Sequence, residues 1–337
     1  DGIFPPMEVD GINYYLKPMN CPHHHMIYKT RPRSYRELPF RLAEYGTCYR
    51  YEDSGALAGL LRVRCLTMND AHIYCRPDQL EEEFTAVLKL HDFYYSKFRL
   101  SDYWMRLSTH DAVKSEKYVD NPEAWAKTEG ILKQVLDKSG LRYTVGSGEA
   151  AFYGPKVDFQ IKNVIGREET ASTNQLDFAM PDRFDLTYIN SEGQHERPYI
   201  IHRAPLGTHE RFLAFLIEHF GGAFPTWMAP KQVMVVPVGE KFHAYAHEVN
   251  EVLRSKLVRS EVDDGGESFN KRLRNAITNK IPNMLVVGGK ESEERTVTWR
   301  RYCTPEQVTM PLDRFTEMLT STIANRAMDN FADVVLS

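Results

Sequence analysis

Between Phe224 and Pro230 the chain changes texture, and that change most constrains what it can fold into. The run Phe224-Pro225-Thr226-Trp227-Met228-Ala229-Pro230 carries two prolines, which neither donate to a strand ladder nor continue a helix. Downstream, residues 233–238 form a continuous apolar strand. Tyr245, Val249, Val252 and Leu253 then recur at helical spacing. An Asp263-Asp264-Gly265-Gly266 turn leads to a basic helix over 269–280 and a second buried strand over 284–287. Strand and helix alternating with short links predict a small α/β domain with a partly parallel sheet.

Upstream the pattern is different. Residues 45–52 and 61–67 read as two strands around a turn over 53–59. Pro77 opens a helix with Leu80, Phe84, Val87, Leu88 and Tyr95 on one face and Glu81, Glu82 and Glu83 in its first turn. A second helix over 124–139 stops at Gly140. Strands follow over 157–161, 174–178, 186–189 and 199–202, and Gly207 introduces a helix over 210–220 before Gly221-Gly222. Helices beside antiparallel strands predict an α+β fold. With the boundary near Ala229, the expected domains are 1–228 and 229–337.

Composition narrows the class without giving the activity. Of 337 residues, 42% are hydrophobic and 26% charged, an ordinary globular profile. No stretch approaches the ~20 apolar residues needed to span a bilayer, so no membrane partner is expected. The opening residues lack the character of a secretory signal and read as the interior of a longer protein. The five cysteines, Cys21, Cys48, Cys65, Cys75 and Cys303, form no CxxC pair, which suggests reduced thiols in a cytoplasmic setting. A net charge of −4 means that any RNA must be met by a local basic surface.

Three constellations carry candidate chemistry. In Cys48-Tyr49-Arg50-Tyr51-Glu52, an Arg and a Glu two apart on a strand would share a face. A guanidinium there can grip an anion bidentately while the carboxylate accepts from an amine. The alternative, with Arg62 and Arg64 nearby, is a cross-strand salt bridge. In Pro205-Leu206-Gly207-Thr208-His209-Glu210-Arg211, a glycine before a helix start suits phosphate, with Arg211 in reach; the alternative is a capped helix. Cys21, His72 and His202 offer one thiolate and two imidazoles, a set suited to catalytic zinc with an open position, though their wide separation gives no local ligand spacing. The His23-His24-His25 run reads as a metal tract or a tag, and its internal position argues against a tag.

The order of the motifs then adds a resemblance. Pro18-Met19-Asn20-Cys21-Pro22, Tyr51-Glu52, Asp70-Ala71-His72, Phe152-Tyr153-Gly154-Pro155-Lys156, Gln175-Leu176-Asp177-Phe178, Ile201-His202-Arg203-Ala204 and the 224–230 run resemble threonyl-tRNA synthetases, over residues 1 to about 327. The resemblance implies a class II synthetase core on an antiparallel sheet, followed by a class IIa anticodon-binding domain. It implies Cys21, His72 and His202 as ligands of one zinc per chain, Asp70 as the acceptor of the threonine hydroxyl, and Tyr153 as pocket lining. Arg50 matches the arginine facing the α-phosphate and substrate carboxylate, Glu52 the adenine contact, and Arg62 and Arg211 the triphosphate contacts. Thr173 and Gln175 fall in the adenylate-contacting strand. Lys280, Glu291 and Arg300 match anticodon-contacting positions, with Lys280 where arginine is more usual. ATP with Mg²⁺, L-threonine, tRNA(Thr) and a second copy of the chain are the implied partners.

The sequence also departs from that family. A first class II motif and an editing domain have no counterpart within these residues. His23 stands for Gly, Met68 and Thr170 for Gln, and Leu66 for an adenine-stacking Phe. These changes fit a divergent subfamily or a second copy with a reshaped pocket. A synthetase-like RNA-binding protein without aminoacylation is the competing class.

Overall fold

The computed structural model describes residues 2–111, 115–163 and 166–330 and separates into two units, Asp1–Phe215 and Leu216–Ser337. In the first unit a small hairpin, β1 (Met7–Val9) with β2 (Ile12–Tyr14), precedes helix α1 (Cys21–Lys29). Strands β3 (Phe40–Tyr49) and β4 (Cys65–Cys75) follow, then α2 (Leu80–Lys97), β5 (Tyr103–Thr109), α3 (Pro122–Ser139), β6 (Tyr143–Ser147), β7 (Lys156–Lys162) and β8 (Glu168–Asp177). The unit continues with α4 (Met180–Arg183), the short pair β9 (Tyr188–Ile189) and β10 (His195–Glu196), and β11 (Tyr199–Ala204). Helix α5 (His209–His219) runs on from it.

Seven of these strands form one sheet in the order β3-β4-β11-β8-β7-β5-β6, antiparallel throughout except for the parallel β5–β6 edge. The last seven residues of β4 are consecutively buried, as a central strand covered on both faces requires. Helix α2 buries Leu80, Phe84, Val87, Leu88 and Tyr95, the stripe expected from its periodicity. Helix α3 ends at Gly140, whose φ of +70° supplies the left-handed stop.

Three strand expectations need correction. The strands expected over 45–52 and 61–67 lie instead at Phe40–Tyr49 and Cys65–Cys75. Arg50 N–H still bonds the Arg64 carbonyl at 2.9 Å, but Tyr51 N–H goes to the Gly2 carbonyl and the chain enters turns, with Ala56 N–H donating to Asp53 and Leu61 N–H to Ala58. Arg50 and Glu52 therefore lie beyond the strand and do not share a strand face. The strand expected over 186–189 shrinks to Tyr188–Ile189, while β5 and β6 were not anticipated.

The second unit holds β12 (Val233–Pro237), α6 (His243–Ser255), β13 (Ser260–Val262), α7 (Phe269–Thr278) and β14 (Asn283–Val287). It continues with α8 (Gly289–Glu294), β15 (Thr296–Arg301), β16 (Gln307–Pro311) and α9 (Leu312–Ala324). The sheet order is β13-β12-β14-β15-β16, with β12 parallel to both neighbours and the other pairs antiparallel. Val233, Val235, Val249, Leu253, Leu285 and Phe315 meet in its core. This is the partly parallel α/β arrangement that the alternating pattern implied. Among the described residues no helix is long and apolar enough to cross a membrane.

Candidate active site

Sheet register brings distant residues together. His72 on β4 stands directly opposite His202 on β11, which is opposite Gln175 on β8. Asp70 lies two residues before His72, so the pleat puts both on one face. Cys21 opens α1, and its sulfur and a ring nitrogen from each of His72 and His202 all lie within 4.8 Å of one another.

The surrounding bonds suit a metal. Nε2 of His72 is buried with no hydrogen-bond partner, an orphan that a cation would satisfy. Its Nδ1 lies 2.7 Å from Nδ1 of His24, whose Nε2 is 3.2 Å from Oε1 of Glu44. His202 Nε2 donates to Asp177 Oδ2 at 3.0 Å, while Asp177 Oδ1 accepts from the N–H groups of Ala179 and Met180. His72 thus has a partner on the nitrogen opposite its orphaned one, and His202 has a carboxylate on one ring nitrogen, bonds of the kind that orient metal-binding histidines. Burial drives the basicity of His72 well below the usual value, and the imidazole neighbours His202, His24 and His25 add to it. That keeps a lone pair available at neutral pH.

Helix α1 does not use the histidine run as a metal tract. It turns His24 and His25 inward and leaves His23 exposed. His25 bonds the Tyr74 hydroxyl at 2.8 Å and packs edge-on against His72 and His202. Burial pulls its pKa down to about 4.

Beside this cluster a cleft of about 310 Å³ is lined by Cys21, Arg50, Asp70, Tyr153, Thr173, Gln175, His202, Gly207 and Arg211, among others. Tyr153 donates to the Gln175 amide oxygen and sits 5.6 Å, ring to ring, from His202. The chain can turn there only through Gly154, because a Cβ would lie 1.8 Å from the Leu176 carbonyl oxygen. Thr173 donates to Asp158, which also pairs with Lys156. Burial pushes the Asp70 carboxyl above the usual carboxylate range, against the pull of His202 and the Asn20 amide.

The arginines fall into two groups. The Arg50 guanidinium reaches the cleft and makes no hydrogen bond or ion pair among the described residues. Arg211, in the first turn of α5, is steadied by the Leu61 carbonyl at 3.1 Å. Gly207 ahead of it has φ +61°, and a Cβ there would stand 2.7 Å from the Ala171 oxygen. Arg62 and Glu52 instead grip each other, Nε and Nη2 at 2.9 and 2.8 Å from the same carboxylate oxygen, and do not line the cleft. The salt-bridge reading describes that pair as it stands.

Of the departing positions, Met68 and Thr170 line the cleft, and Thr170 is held by the Gln160 side chain. Leu66 is buried opposite Cys48 and is not among the cleft-lining residues. In the second unit, Glu291 accepts from Gly288 N–H and the Thr298 hydroxyl, tying α8 to β15. Lys280 donates to the Gly221 carbonyl, and Arg300 lies on β15 between Met284 and Gln307. Among the described residues no hydrogen bond joins these three. Asn20, Glu44 and Asp177 border the cluster without having been singled out in the sequence, and His24 stood there only as part of the histidine run. Asn20 and Asp177 stood inside the quoted motifs, whereas nothing local marks Glu44.

Residues 7–220 match the tRNA synthetase class II core domain (G, H, P, S and T), and residues 232–322 match an anticodon-binding domain. Threonine–tRNA ligase 1 of Bacillus subtilis (strain 168) is 52% identical over 316 residues, covering 94% of this chain and 49% of that protein. A threonine–tRNA ligase of Anoxybacillus flavithermus is 51% identical, covering 96% and 50%. The chain spans about half the length of the curated relatives it matches. Among solved structures, the RNA-binding domain of a Cryptosporidium parvum threonyl-tRNA synthetase superposes with a TM-score of 0.88 at 37% identity. It covers 95% of this chain and 79% of that one.

Proposed function

Because the chain belongs to the class II tRNA synthetases, a class II core followed by an anticodon-binding domain, we propose that it ligates L-threonine to tRNA(Thr) through threonyl-adenylate. One observation carries this reading: Cys21 and His202, grouped with the buried His72 as a metal would need, line the same cleft as Asp70, Arg50 and Arg211. The domains would divide near Ala229. The protein would work in the cytoplasm, as a homodimer in its intact form.

In the first step a threonine carboxylate oxygen attacks the α-phosphorus of ATP and pyrophosphate leaves. Arg50 would neutralise the α-phosphate and orient the carboxylate, while Arg211 meets the triphosphate. Fixed charges of this kind act where negative charge develops. Arg62 could join them only by exchanging its Glu52 partner for phosphate, which would free Glu52 to accept from the adenine amine. Thr173 and Gln175 would line the adenylate. Mg²⁺ would accompany the phosphates. In the second step a ribose hydroxyl of the tRNA end attacks the adenylate carbonyl and AMP leaves.

Asp70 would accept the substrate hydroxyl's proton in a hydrogen bond, with Tyr153 closing the pocket side. Zinc on Cys21, His72 and His202 would supply an open position for the threonine amine and hydroxyl. Lys280, Glu291 and Arg300 would face the anticodon, Glu291 from the position in which α8 and β15 already hold it.

Threonine-dependent ATP–pyrophosphate exchange, run alongside a zinc determination, tests the reading. Exchange with about one zinc per chain supports it. Zinc-replete protein without exchange would favour the synthetase-like RNA-binding protein.

A further inference from the structure

The geometry points to Asn20 as a positioning residue that holds Asp70 ready for the substrate hydroxyl, with Cys48 supporting the far end of its amide. The inference rests on the proposed role of Asp70. Three observations converge on it.

Asn20 precedes α1, where an asparagine ordinarily accepts from the helix's own N–H groups. Here it makes no such cap bond, and its backbone is helical (φ −87°, ψ −25°). The side chain is fully buried and directed elsewhere: Nδ2 donates to Asp70 Oδ2 at 3.2 Å. An asparagine that forgoes its local bond for a distant carboxylate breaks a local rule, and such breaks concentrate at functional sites.

The second observation is the donor on its other end. The Cys48 thiol donates to Asn20 Oδ1 at 3.3 Å, and Cys48 is itself fully buried. A rotated amide would set its oxygen against the Asp70 carboxylate and its NH₂ against the thiol hydrogen. The carboxylate, which only accepts, sets the orientation in which the amide donates to it, and the thiol, able to donate or accept, supports that orientation by bonding Oδ1.

Third, β3 leaves room for this side chain. Gly46 lies beside it, and a Cβ on Gly46 would stand 2.3 Å from Asn20 Oδ1. Any larger residue at position 46 would displace the amide. With Oδ2 of Asp70 committed to Asn20, the other oxygen has no hydrogen-bond partner among the described residues, and Asp70 lines the cleft. That oxygen is the one left for a substrate hydroxyl.

The test is ATP–pyrophosphate exchange by the full chain with threonine and with valine, together with zinc content. Asn20→Ala is expected to raise the threonine KM by about 10- to 100-fold, the scale of one hydrogen bond to a charged group. Selectivity over valine should fall by a similar factor, with the ATP KM and zinc content unchanged. Cys48→Ala should move the same two quantities in the same direction by a smaller factor, and Cys48→Ser, which keeps a donor, should restore them. Asp70→Asn separates the two ideas. If it leaves threonine KM and valine selectivity untouched, the reading of Asp70 fails. If it damages both while Asn20→Ala and Cys48→Ala change neither, the role of Asn20 alone is overturned. Zinc loss in step with threonine affinity would also overturn it, because Asn20 would then be serving Cys21.

Discussion

Nδ1 of His24 and Nδ1 of His72 lie 2.7 Å apart, so one proton sits between two ring nitrogens. Where a metal occupies the orphaned Nε2 of His72, that proton belongs to His72, and His24 must carry its own on Nε2. There it faces Glu44 at 3.2 Å. With a metal bound there, a buried imidazole would relay a carboxylate's influence to His72, much as Asp177 acts directly on His202. His24→Phe is expected to weaken zinc about 10- to 100-fold, measured by competition with a chelator. Cys21→Ala should abolish stoichiometric zinc altogether. A His24→Phe chain that holds zinc as tightly as before would remove His24 from the site.

The arginines predict a difference in kind between two substitutions. Arg50→Ala deletes a guanidinium that lines the cleft with no partner among the described residues, and adenylate formation should fall by roughly 100-fold or more. Arg211→Lys keeps the charge but loses the flat fork that bonds the Leu61 carbonyl at 3.1 Å, so it should also be damaging. Exchange rates read both, and two unchanged rates would refute the assignment.

Much of this site was legible in the sequence, for a physical reason. Turn glycines and helix starts are local, so Gly140 and Gly207 announced themselves, as did the α2 stripe. Motif order then identified Cys21, His72 and His202, which periodicity could not connect because register across β4 and β11 joins them. What stayed hidden was pairwise and long-range. Glu44 meets His24 only because β3 lies beside β4, and no spacing encodes that. Arg50 and Glu52 were expected on one strand face, but the strand ends at Tyr49, and the next N–H after Arg50, that of Tyr51, turns to the distant Gly2 carbonyl. The strands β5 and β6 lacked the alternation that marks a half-buried strand: β5 buries Trp104, Met105, Leu107 and Ser108 in adjacent pairs.

The second unit should separate two activities. Arg300 lies on β15, in a unit distinct from the one that holds the cleft. Arg300→Ala is expected to weaken tRNA charging severalfold or more while leaving ATP–pyrophosphate exchange nearly intact. Glu291→Gln should be milder on folding than on charging, because an amide oxygen can still accept from Gly288 N–H or Thr298. Equal losses in both assays would point to damage of the fold instead of the anticodon contact.

His91 supplies a pH signature that is independent of any ligand. It is fully buried against Phe159 at a ring separation of 4.2 Å, with Nε2 donating to Asn174 Oδ1 at 2.9 Å and Nδ1 accepting from the Ser172 hydroxyl at 3.1 Å. Burial lowers its pKa to about 3, opposed by the Asn174 bond and aided by Arg203. Between that value and the ordinary 6.5, the unfolded chain binds a proton that the folded chain refuses. Stability contributed by the neutral ring is therefore complete above about pH 6.5 and is lost as pH falls toward 3. At pH 5 the loss amounts to about 2 kcal/mol from this residue. His91→Gln keeps a donor and an acceptor without a titrating ring. Urea unfolding at pH 7.5 and pH 5 should show the parent chain losing more stability than His91→Gln by about that amount. Equal losses in the two proteins would mean that His91 takes up its proton without unfolding the sheet.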